Sequence, residues 1–97
     1  MEWLETGKRL PWEEAVDYCQ ALGGGWRLPT IEELISLVDF SRDNPATEEV
    51  GIKSERYWSA TVNANYPGGA WYAYFHNGSV NYGSKSYNLY VRAVRGE

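Results

Sequence analysis

Ninety-seven residues leave room for one folding unit, since domains shorter than about 50 residues rarely fold alone, and 43% hydrophobic with 23% charged residues is a globular composition. No apolar run approaches the roughly 18 residues of a membrane-spanning helix, and one cysteine with one histidine can complete neither an internal disulfide nor a tetrahedral zinc site. The formal charge of −4 is uneven: residues 1–49 carry 11 acidic and 4 basic side chains, whereas residues 50–97 carry 2 and 5.

The N-terminal Met1-Glu2-Trp3-Leu4-Glu5 has no basic region followed by an apolar stretch, so no secretion signal is visible. A complete chain would then be expected in the cytoplasm, and an excised domain of a larger protein on a cell surface or phage particle.

In chain order, Pro11 suits a first helical position. Trp12, Ala15, Val16, Cys19 and Leu22 recur at helical spacing, and Gly23-Gly24-Gly25 ends that helix. Thr30 followed by Glu33 forms a capping box ahead of Ile31, Leu34, Ile35 and Val38, one face of a second helix. Residues 41–56 hold no period and read as a long loop. From Tyr57 the period becomes two, with strands expected over residues 57–62, 70–75, 79–82 and 89–95 and a tight turn at Asn77-Gly78. The expected fold is α+β: two helices, then an antiparallel sheet formed mainly by the C-terminal half, in a single domain spanning residues 1–97.

Two blocks, Trp26-Arg27-Leu28-Pro29-Thr30 and Tyr90-Val91-Arg92-Ala93-Val94-Arg95, together with Tyr18-Cys19, Tyr57-Trp58-Ser59-Ala60-Thr61 and Ala70-Trp71, resemble the Lcl C-terminal domain family across nearly the whole chain. The resemblance implies a C-type lectin-like fold, whose wider relatives include formylglycine-generating enzymes and the variable proteins of diversity-generating retroelements. It also implies either polyanionic glycan binding, as in a collagen-like adhesin, or a protein-display surface diversified at Asn codons. Many family members carry a second cysteine where this chain has Ala93, and Cys19 would be its natural partner; here Cys19 reads as a small buried apolar residue. The three arginines of the blocks, Arg27, Arg92 and Arg95, are expected to tie helix to sheet.

Catalysis and metal binding find little support. His76 sits beside a tight turn with no nucleophile in view, the carboxylate-bearing calcium motifs of C-type lectins do not occur, and Asp39, Asp43 and Asn44 lack the spacing of a calcium loop. Asn77-Gly78-Ser79 matches a glycosylation sequon, but a tight turn explains it. No cofactor, metal or catalytic residue is therefore expected.

The concentrated signal lies later. Residues 57–90 hold 10 of the 15 aromatic side chains, and between His76 and Tyr90 Asn, Ser, Tyr and Gly make up 11 of 15 residues. That mixture is what antibody loops use, because Tyr offers contact area at low entropic cost while Ser, Gly and Asn offer adaptable hydrogen bonds; it is also what turns and strands need. Arg56 to Gly96 contains no carboxylate side chain, which favours anions, yet it is too sparsely basic for a nucleic-acid groove. The expected function is non-enzymatic recognition of a glycan or a protein surface through loops of residues 63–90, by Tyr66, Tyr82, Lys85 and Tyr87 with Asn63, Asn65, Asn81 and Asn88, while Trp58 and Trp71 belong to the core. The competing expectation is a structural or oligomerising module of a surface or fibre protein, with a homo-oligomer as its partner state.

Overall fold

The computed structural model describes residues 1–96. Its elements are β1 (Glu2–Leu10), α1 (Trp12–Ala21), α2 (Ile31–Ile35), β2 (Arg56–Val62), β3 (Gly69–Tyr74), β4 (Ser79–Ser84) and β5 (Leu89–Arg95). The five strands form one sheet in the order β1-β5-β2-β3-β4.

Each helix begins where its local chemistry dictates. Pro11 is the N-cap of α1 rather than its first helical residue: its φ of −60° is preset by the ring, and its carbonyl accepts the Ala15 N–H at 2.9 Å. The helix ends where Gly23, Gly24 and Gly25 all adopt left-handed φ, a conformation that costs residues with a Cβ. At α2 the capping box forms as expected, with the Thr30 side chain accepting from Glu33 N–H and the Glu33 carboxylate accepting from Thr30 N–H at 2.8 Å. The helix is shorter than the apolar spacing suggests. It stops at Ile35, which is exposed, and Val38 lies beyond it in a turn.

The sheet corrects two expectations. A strand, β1, precedes the helices, pairing antiparallel with β5 from Glu2↔Arg95 to Leu10↔Leu89 with an irregularity between Glu5 and Arg9. And the sheet is mixed rather than antiparallel, because β2 and β5 run parallel, paired at Tyr57↔Tyr90. Past that single pairing, the segment after α1 occupies the space between the two strands. Arg27 exchanges two backbone hydrogen bonds with Val94 of β5, each 2.9 Å, while Pro29 O accepts the Ala60 N–H of β2. Two strands that would otherwise expose unpaired backbone are thus satisfied by one inserted segment.

Successive residues of a strand face opposite ways, and Tyr57 and Trp58, both fully buried, anchor two separate cores. Trp58 packs with Ala15 and Cys19 of α1, Leu28, and Leu89, Val91 and Ala93 of β5. Tyr57 packs with Ile31 and Leu34 of α2, Ile52 and Phe75. Both indoles beside α1 are satisfied: Trp58 Nε1–H donates to Leu10 O at 2.9 Å and Trp12 Nε1–H to Ser59 O at 2.8 Å. Trp71, expected in the core, is only half-buried and packs against the edge of the α2-side cluster. Burial pushes the Cys19 thiol up to about 11, consistent with a packing role.

The block arginines divide. Arg27 grips Glu33 of α2 through two 2.8 Å hydrogen bonds, and Arg95 reaches Glu2 of β1 while stacking 4.5 Å from the centre of the Trp26 ring. Arg92 ties no helix. It is buried beside Trp3, and the carboxylate nearest its guanidinium is Glu49, 3.7 Å away in the loop before β2.

The Arg27 guanidinium and the Thr30 N–H hold the Glu33 carboxyl down at about 2. A group depressed in this way stabilises the fold above its unfolded value, 4.5, and loses that contribution as the pH falls from there towards about 2. Denaturant titrations of wild type and Glu33→Gln should therefore differ by about 1–3 kcal/mol at neutral pH and converge across that acidic window. A difference that stays constant with pH would contradict this role.

Candidate functional site

Because β4 lies at one edge and β5 in the interior, the four residues 85–88 must carry the chain back past β3 and β2. The crossing is pinned at its start, where Lys85 N–H donates to Gly68 O at 3.0 Å and Lys85 O accepts the Trp12 N–H at 2.9 Å. Beneath the remainder of it lies an open cleft of about 730 Å³. Ser86, Tyr87 and Asn88 of the crossing form one side, Tyr72 of β3, Tyr82 of β4 and Leu89 of β5 line it further, and Arg9 of β1 with Arg56 of β2 supply its charge.

Both arginines are exposed, and among the described residues neither has a carboxylate within salt-bridge distance. Each is instead positioned by aromatic faces. The Arg56 guanidinium stands 5.1 Å from the Tyr74 ring centre and 5.6 Å from that of Tyr72, and Arg9 stands 5.5 Å from that of Tyr90. A ring attracts a guanidinium through its π face without neutralising its charge as a carboxylate would. The cleft lining contains no carboxylate; Glu55 enters only the small adjoining recess. Tyr87 is seated by Gly83, where a Cβ would come within 2.9 Å of the tyrosine ring, so the floor of the crossing depends on that glycine. Chemically the arrangement offers two guanidiniums, the phenols of Tyr72 and Tyr87 and the Asn88 amide: a surface able to bind an anionic, hydroxyl-rich or peptide-like group, with no nucleophile and base in contact.

The sequence-predicted residues do not form one face. Tyr87, Tyr82 and Asn88 all border the cleft, but the Tyr82 ring lies on the opposite face of the sheet from Tyr72 and Tyr87. Tyr66 is exposed next to it, its ring 5.8 Å from that of Tyr82, which also packs edge-on against Trp71 at 5.4 Å. Lys85 points elsewhere: its ammonium lies 4.4 Å from the Trp12 ring centre, in a shallow groove shared with Glu13 and Glu14. Asn63 is buried, and its Oδ1 accepts the Asn65 N–H at 3.0 Å, so this pair closes the β2–β3 loop. Asn81 on the edge strand accepts the N–H of Tyr82 at 2.8 Å, covering a donor that an edge strand would otherwise present. Arg9 and Arg56 are not among the expected contact residues; for Arg56 the sequence signal is its place at the head of a stretch, residues 56–96, without carboxylate side chains, and Arg9 has none.

Among the described residues, no three or more His, Cys, Asp or Glu side chains gather as a metal would need, and no helix is long and apolar enough to cross a membrane.

Fold and site together define a small α+β domain with a five-stranded mixed sheet and a tyrosine- and arginine-lined cleft at the return to its central strand. The chain belongs to the Lcl C-terminal domain family, whose model matches residues 1–95. A search of curated proteins returns no match.

Asn63 and Asn88 make a contrasting pair. Replacing buried Asn63 by Ala should cost about 1–2 kcal/mol in chemical unfolding, the loss of a partner for a loop N–H, while Asn88→Ala should stay within about 0.5 kcal/mol. Equal costs would mean that Asn63 does not hold the loop.

Proposed function

We propose that this domain is a non-enzymatic binding module of C-type lectin-like type, which takes an anionic group of a glycan or of a protein surface in the cleft beneath residues 85–88. The observation that carries this reading is the pair Arg9 and Arg56: two guanidiniums in a carboxylate-free lining, each 5.1–5.5 Å from a tyrosine ring centre and without an acidic partner among the described residues. A structural pair of arginines would ordinarily be neutralised, as Arg27 and Arg95 are here. Helices on opposite faces of a mixed sheet are compatible with the C-type lectin-like architecture. Binding needs no metal in this reading, because the positive charge is supplied by side chains.

The exposure of Asn81, Tyr82, Tyr87 and Asn88 around one edge also agrees with a surface diversified at Asn codons, whose products include Tyr and Ser. A near-duplicate of the coding sequence, differing at adenines, beside the gene is the mark of that process. The assembly reading draws on the same exposed tyrosines, Tyr66, Tyr82 and Tyr87, as surfaces for a neighbouring copy.

The test is binding to arrayed sulfated, uronate-containing and neutral oligosaccharides and to arrayed proteins, with chelator present. Arg9→Ala and Arg56→Ala should each weaken binding of the anionic class about ten- to hundredfold, the effect of losing about 1.5–3 kcal/mol from a hydrogen bond to a charged group. Lys85→Ala should change it little. Binding that needs calcium, or that survives both arginine changes, overturns the proposal. A concentration-dependent size in solution that Tyr82→Ala and Tyr87→Ala abolish would favour assembly.

A further inference from the structure

We propose that Asn77 is a site of spontaneous covalent modification, converting through a cyclic imide to aspartate and isoaspartate, and that the isoaspartate form loosens the β3–β4 hairpin. Six asparagines occur in the chain, and only Asn77 is followed by glycine. In the reaction the backbone nitrogen of the following residue must approach the side-chain amide carbon. A Cβ on that residue obstructs the approach, and at Asn44 the following Pro45 has no N–H to give up.

The turn presents Asn77 for this chemistry. Its side chain is exposed, so water reaches it, and its Oδ1 accepts the Ser79 N–H at 3.0 Å. That bond folds the amide back over the Gly78 backbone and draws electron density from the amide carbon. The nucleophile is restrained by one contact, the 2.8 Å hydrogen bond from Gly78 N–H to Tyr74 O, so ring closure requires a local opening of the turn.

The steps balance without a cofactor. Gly78 N loses its proton to solvent and bonds to the Asn77 amide carbon, and the side-chain nitrogen leaves with its electron pair as ammonia, giving a five-membered imide. Water then adds to one of its two carbonyls and opens the ring to aspartate or isoaspartate. The net change is asparagine plus water to a carboxylate residue plus ammonia.

The isoaspartate product places an extra methylene in the main chain immediately before Gly78. That position has no slack: Gly78 is buried at φ +82°, and a Cβ there would come within 2.8 Å of Val38 and 3.0 Å of Phe40. The hairpin is therefore pushed from its seat on the 38–40 segment, and a negative charge is added at its tip.

The experiment incubates the folded chain in mildly alkaline buffer at physiological temperature and maps the products by peptide mass spectrometry and isoaspartyl methyltransferase labelling. A mass gain from NH2 to OH confined to Asn77, absent in Asn77→Gln, is expected. Modification first at Asn63, Asn65, Asn81 or Asn88 overturns the proposal, as does an intact Asn77 over a period in which a peptide of the same sequence converts fully. The separated isoaspartate fraction should unfold at a lower temperature than Asn77→Asp. Equal midpoints would overturn the loosening.

Discussion

The insertion of Arg27, Leu28 and Pro29 between β2 and β5 is the interaction on which the other elements depend. Two parallel strands joined at one residue pair would part and leave their backbones bare. Hydrogen bonds from Arg27 to Val94 and from Ala60 to Pro29 prevent this. The same short segment sets the start of α2, since the Arg27 guanidinium and the Thr30 N–H share the Glu33 carboxylate. On its other flank Trp26 receives Arg95, whose guanidinium also holds Glu2 of β1. One stretch of chain thereby fixes the first strand, the last strand, the second helix and the central parallel pair.

From that constraint the location of the cleft follows. With β5 held inside the sheet, the chain leaving edge strand β4 must return across two strands, and the return creates an overhang with Tyr72 and Leu89 below it. The charge comes from two separate places along the chain. Arg9 is brought in because β1 pairs with β5, and Arg56 because β2 starts beside Tyr90. The acidic first half of the sequence thus contributes one of the cleft's two cations. Of the acidic residues of α1, Glu13 and Glu14 sit in a different groove with Lys85.

Much of the fold was legible because its signals are local. The capping box, the glycine stop after α1, the Asn-Gly turn and the period-two strands each depend on a few neighbouring residues. What escaped was non-local or inverted in pattern. Strand β1 turns Glu5 inward, where its carboxylate accepts the Tyr57 hydroxyl hydrogen at 3.0 Å, and leaves Leu4 exposed, so apolar alternation fails there. The parallel pairing depends on a crossing that periodicity does not encode. The two family blocks could be read as motifs, but not that they are each other's hydrogen-bonding partners. For the site, tyrosine enrichment pointed to Tyr82 and Tyr87, both of which border the cleft. Composition could not separate Asn88, at the cleft, from Asn63, which is spent on a loop N–H, or from Asn81, which covers the sheet edge.

The central proposal is that a ligand's anionic group engages Arg9 and Arg56 at the cleft, and side-chain nuclear magnetic resonance reports on it directly. Titrating the labelled domain with a sulfated oligosaccharide should shift the Nε–Hε signals of Arg9 and Arg56 and the amides of Tyr87 and Asn88, saturably and together, while Arg42, already engaged with Asp39 and Glu48, stays in place. Shifts centred on Lys85 and α1, or on no defined residues at all, would contradict it.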